Sequence, residues 1–70
     1  MTREEYVKQM LSKNYPTQAA ASEALGVEEN TVRRYFNNRR KPGDIVCRTV
    51  QLLDFLKAQG LEPPPPLKFD

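Results

Sequence analysis

Residues 17–37, TQAAASEALGVEENTVRRYFN, decide the fold of this 70-residue chain. Thr17 is a good N-cap, and Ala19, Ala20 and Ala21 favour a helix through Leu25 while leaving room for a neighbour to approach. Gly26 stops that helix at a point where a left-handed backbone is cheap only for glycine. A further helix starts near Glu28, buries Val32, Tyr35 and Phe36, and loses its pattern at Asn37 to Lys41. Two helices crossing through a tight turn demand apolar residues where Ala21, Leu25, Val27, Val32 and Tyr35 stand, and a small residue where Ser22 stands. Any one of these is ordinary core; the joint spacing is uncommon.

On the N-terminal side, Thr2 followed by Glu5 has the form of a capping box. Tyr6, Val7, Met10 and Leu11 then recur at helical spacing, predicting a first helix over about residues 2–13 that Asn14, Tyr15 and Pro16 end. On the C-terminal side, Pro42 and Gly43 form a loop, Asp44 can cap a fourth helix over 44–58, and Gly60 stops it. Its main apolar stripe is Ile45, Val46, Thr49, Leu52, Leu53 and Leu56, with Cys47, Val50 and Phe55 outside it. That is more apolar surface than one core-facing side requires, and a chain this short gains by burying it against a second copy. Val50, Leu52, Phe55 and Leu56 are the candidate interface residues. Residues 60–70 form a tail in which Pro63 to Pro66 impose extended geometry; it is expected to be exposed, a stiff end or an arm using Leu67 and Phe69 across a neighbouring subunit. The expectation is an all-α, compact four-helix domain over 1–59 plus this tail.

The net charge of +2 is small, but its placement is uneven. Residues 1–27 balance, with Arg3, Lys8 and Lys13 against Glu4, Glu5 and Glu23. Residues 28–42 carry Arg33, Arg34, Arg39, Arg40 and Lys41 against Glu28 and Glu29, a surplus of +3 confined to one short segment. With no histidine and a single cysteine, Cys47, the usual zinc ligand sets and an internal disulfide are excluded. No glycine-rich phosphate loop or nucleophile–base pairing is visible, so neither an enzyme nor a cofactor is expected, nor a small-molecule ligand. The charged, amphipathic N-terminus is unlike a signal peptide and no apolar run is long enough to span a bilayer, so the expected compartment is the cytoplasm and no membrane partner is expected.

The stretch from Thr17 to Asn37 resembles the helix-turn-helix of the lambda-repressor and Cro-like phage regulators, and the likeness extends over about residues 6–58. More narrowly, MLSKNYPTQ and TVQLLDFL resemble the small anti-CRISPR-associated autorepressors, with their short first helix, final amphipathic helix and proline-containing tail. The resemblance implies a third helix in the major groove of double-stranded DNA, with base reading by Glu29, Asn30 and Arg33 and with Arg34 and Asn37 flanking. Chemistry agrees: arginine can donate twice to guanine, asparagine can pair with adenine, and glutamate can accept from cytosine. Arg33 lies opposite Val32, Tyr35 and Phe36, although Glu29, four residues earlier, offers it an ordinary ion-pair partner. Gln18 matches a glutamine that anchors a phosphate, Thr17 helps or merely caps, and Thr31, Asn38, Arg39, Arg40 and Lys41 are the remaining phosphate candidates. Two departures stand out: Ser22 replaces a commoner alanine, and Glu28 stands where a serine or threonine cap is usual.

Tyr35 to Lys41, YFNNRRK, also resembles the end of a homeodomain recognition helix, which would move base reading to Asn37 and Asn38. Pro42 and Gly43 cut that helix short, and a fourth helix has no counterpart in a three-helix homeodomain. The leading expectation is a homodimeric repressor on an inverted repeat, autoregulating a phage operon. An antitoxin or excision-type accessory protein would use the same helices, and a protein-interaction bundle would keep the fold without binding duplex DNA.

Overall fold

In the computed structural model, which describes residues 1–69, the chain forms four α-helices: α1 (Arg3–Asn14), α2 (Gln18–Leu25), α3 (Glu29–Phe36) and α4 (Asp44–Ala58). There is no strand among the described residues. Each boundary has a local cause. Thr2 caps α1 by accepting from the Glu5 N–H at 3.1 Å, and Thr17 caps α2 by accepting from the Ala20 N–H at 3.0 Å. Gly26, at φ +73°, closes α2 while the Gly26 and Val27 amides donate back to the Glu23 and Ser22 carbonyls. Gly60 closes α4 in the same way, with its amide on Lys57 and that of Leu61 on Leu56. At the start of α4 the cap is Gly43; Asp44 lies inside the first turn, makes no capping bond and pairs with Arg3 of α1.

The four helices meet in one core built from Val7 and Leu11 of α1, Ala21 of α2, Val32 and Tyr35 of α3, and Val50 of α4. Burying each larger member contributes about 1.5–3 kcal/mol. α1 packs chiefly on α4 and α2 on α3. Ser22 tolerates burial because its hydroxyl donates to the Ala19 carbonyl at 2.7 Å. The Cα radius of gyration, 11.5 Å, matches the roughly 11 Å of a compact chain of this length.

Helix α4 is rotated relative to the sequence expectation. Val50 is buried at 1% exposure, with Val46 and Cys47 packed beside it, whereas Ile45, expected in the core, is 83% exposed. Val50 is therefore a core residue and is withdrawn from the candidate interface. Leu52 and Phe55 are exposed and Leu56 is half-buried, so the outward apolar line is Ile45, Leu52 and Phe55.

The tail is fastened at its start. Lys57 pairs with Glu62 at 2.9 Å and stands 5.1 Å above the centre of the Tyr15 ring. Pro63 to Pro66 line a cleft of about 330 Å³ with Asn14, Tyr15, Ala20 and Ala24. The Tyr15 hydroxyl is buried there without a hydrogen-bond partner, and that burial raises its pKa above the ordinary phenol value, with Lys57 opposing and Glu62 adding to the shift. Beyond the prolines, Leu67 and Phe69 are exposed.

Candidate nucleic-acid interface

The buried and exposed sides of α3 follow from its register. Val32 and Tyr35 face the core, and at 100° per residue this leaves Asn30, Arg33, Arg34 and Asn37 on the opposite side with Glu29 at its edge, all exposed. The side is rigid because α3 is held from behind by the core and at its entry by the turn of Gly26, Val27 and Glu28. Glu28 occupies the N-cap without a side-chain capping bond, which leaves the first amides of α3 open. Arg33 does not pair with Glu29; its guanidinium donates to Asn30 Oδ1 at 3.3 Å, so these two base-reading candidates are held side by side.

Past α3 the chain turns through Asn38, whose φ of +57° is left-handed. The Arg39 amide donates to the Arg34 carbonyl at 2.9 Å and the Asn38 amide to that of Tyr35 at 3.3 Å, the paired bonds of a helix end closed by a left-handed residue. Asn38 Oδ1 also accepts from Lys8 Nζ at 2.8 Å. Asn38 therefore has a structural part that its assignment as a phosphate ligand overlooked. Its contact also brings Lys8 of α1 to the rim of the same surface, a cation that sequence reasoning missed because thirty residues separate the pair and no local pattern connects them.

Arg39, Arg40 and Lys41 are exposed in the loop that follows. The ion pairs among the described residues are Arg3 with Asp44, Lys13 with Asp54 and Lys57 with Glu62. None involves Arg33, Arg34, Arg39, Arg40 or Lys41, so the five cations on and beyond α3 have no carboxylate partner among the described residues, while three cations elsewhere do.

Across α3, Thr17 and Gln18 begin α2. They border a hollow of about 230 Å³ together with Leu11, Ser12, Tyr15, Pro16, Ala21 and Phe36. The Thr17 oxygen accepts from Ala20 and its proton remains able to donate outward. Thr31 is half-buried and lies away from the Arg33 side. Among the described residues, no group of His, Cys, Asp or Glu is arranged to hold a metal ion and no helix is long and apolar enough to cross a membrane. In comparison with known proteins, no family model, no curated protein and no solved structure matches the chain.

Proposed function

We propose that this chain is a sequence-specific double-stranded DNA-binding protein, a homodimeric repressor in which α2 and α3 act as a helix-turn-helix. The single observation that carries the reading is the composition of the exposed side of α3. Glu29, Asn30 and Arg33 stand together on it, continuous with cations that have no carboxylate partner among the described residues. Hydrogen-bonding groups on a rigid helix beside unneutralised arginines suit a groove whose floor carries donors and acceptors and whose walls carry phosphates.

In this reading α3 enters the major groove. Asn30 and Arg33 make the base contacts, Glu29 accepts from a cytosine amino group, and Arg34 and Asn37 lie at the edges. Gln18 and Thr17 meet phosphate on one side, and Arg39, Arg40, Lys41 and Lys8 meet it on the other. An inverted repeat requires two copies whose α3 helices lie about one helical turn apart, roughly 34 Å. The action is repression by covering a promoter, in the cytoplasm of a bacterial host, and the resemblance to phage regulators extends it to autoregulation of a phage operon.

The test is selection of bound duplexes from a random pool at moderate salt. An enriched inverted repeat with half-site centres about 10 base pairs apart supports the reading in full. A single asymmetric site retains DNA reading and removes the dimer. No enrichment by the folded protein overturns the proposal in favour of a protein-interaction bundle.

A further inference from the structure

Arg39, Arg40 and Lys41 lie between two fixed points of the chain. Before them, Asn38 turns the backbone at φ +57° with its amide on the Tyr35 carbonyl, and its side chain accepts from Lys8 Nζ at 2.8 Å. Lys8 follows Val7, which is fully buried, so this tie ends on an element held by the core. After them, Pro42 is buried, and its ring fixes φ. Gly43 then caps α4 at once, its carbonyl accepting from the Cys47 amide at 3.1 Å. Between these points the amides of Arg39 and Arg40 both donate to the Arg34 carbonyl, at 2.9 and 3.3 Å. Asp44, two residues beyond Pro42, pairs with Arg3, so α1 meets the chain on both sides of the three cations. That pair is largely exposed and contributes little by itself.

The backbone of this segment is therefore ordered, while its three side chains are exposed and make no ion pair or hydrogen bond among the described residues. A charged loop that is disordered when free must be ordered on binding, and the lost backbone entropy cancels part of the attraction. A loop ordered beforehand avoids that loss. The number of cations, and so of counterions released, is the same in the two cases. They differ in affinity and agree in salt dependence.

We infer that Asn38 and Pro42 are positioning residues for DNA affinity: with Lys8 bracing Asn38 from α1, they hold Arg39, Arg40 and Lys41 before contact in the arrangement that meets phosphate. This rests on the DNA-binding reading given above. It adds that the affinity of the basic segment comes from the geometry at its two ends as well as from its charge. Neither Asn38 nor Pro42 is charged, so neither releases a counterion itself.

Asn38→Gly and Pro42→Ala each loosen one end and leave every cation in place. Asn38→Gly permits the left-handed turn and loses only the tie to Lys8, so it keeps the test open if Pro42→Ala fails to fold. Three measurements are made on the full chain: helix content by circular dichroism, heteronuclear ¹⁵N NOEs of the Arg39, Arg40 and Lys41 amides in the free protein, and titration with duplex DNA at several salt concentrations. In wild type the loop NOEs are expected to match those of α3. In the variants, at full helix content, they should fall, and affinity should drop about three- to tenfold on selected and unrelated duplexes alike with the salt slope unchanged. A role in structure alone would lower helix content and leave the affinity of the folded variant as in wild type. Unchanged affinity in the folded variants, a wild-type loop that is already mobile, or a salt slope lowered by about one, which marks a lost phosphate contact, each overturns positioning and leaves DNA binding standing. A folded wild-type protein that binds no duplex removes the DNA-binding reading, and positioning with it.

Discussion

Lys8 Nζ and Asn38 Oδ1 stand 2.8 Å apart, tying α1 to the residue that closes α3. Asn38 thus joins a backbone duty, its left-handed φ of +57°, to a side-chain duty toward Lys8. Replacement by alanine loses both and should cost about 1 kcal/mol in urea denaturation, whereas Asn38→Gly keeps the backbone and should lie within about 0.5 kcal/mol of wild type. If Asn38 acts only through structure, Asn38→Gly also leaves the salt dependence of DNA binding unchanged.

Arg33 and Arg39 should separate specificity from affinity. Arg33→Ala is expected to cost about 1–3 kcal/mol on the selected site and to relax one base pair. An equal loss on every sequence would remove Arg33 from the base-reading set. Arg39→Ala and Arg40→Ala should each weaken binding nearly uniformly and reduce the salt slope by about one, which a titration at several salt concentrations checks.

The rotation of α4 predicts opposite outcomes for neighbouring substitutions. Val50→Ala removes buried methyls and should lower the unfolding free energy by about 1–3 kcal/mol. Phe55→Ser should change the stability of the single chain by less than about 0.5 kcal/mol and act on self-association instead. Chemical denaturation at low protein concentration, paired with sedimentation, distinguishes the two.

Tyr15 has a buried hydroxyl without a partner, so Tyr15→Phe should be neutral or stabilising. Its raised pKa favours the neutral phenol in the folded state. That contribution is fully present below the unfolded value near 10 and is lost as pH rises through the higher folded value. Ending the chain after Gly60 uncovers the ring, and ultraviolet titration should then find the Tyr15 phenol ionising at lower pH than in the full chain.

Asp54 links α4 to the end of α1. A hydrogen bond from Asn14 at 3.0 Å and another from Lys13 at 3.1 Å hold its carboxyl below the ordinary carboxylate range. Stability from this group is present above the unfolded value, about 3.9, and is lost as pH falls through the lowered folded value. Thermal unfolding across that window should show a shallower acid dependence in Asp54→Asn than in wild type.

The helix ends were legible because their signals are local: Thr2 and Thr17 cap through the next turn, and Gly26 and Gly60 supply left-handed ends. The side of α3 was legible because only Val32, Tyr35 and Phe36 could turn inward. α4 offered no such choice. Apolar residues surround most of it, and the side facing the core is selected by its packing against α1, which no periodicity within α4 encodes. Asn38 carried a readable sign, an asparagine just past a helix, but its position among arginines drew it into the charged set instead. Gly43 and not Asp44 caps α4, and Asp44, inside the first turn, pairs instead with Arg3, forty-one residues away and outside any local pattern.

The unequal pairing of cations has a further consequence. Arg3, Lys13 and Lys57 are each answered by a nearby carboxylate while the arginines on and beyond α3 are not, so the surplus of +3 in residues 28–42 is not cancelled by ion pairs among the described residues. If α3 is the reading helix proposed above, such a surplus turns it toward a polyanion before contact and raises the productive fraction of encounters. The chain should be retained on a cation exchanger more strongly than a protein with the same net charge of +2 spread evenly.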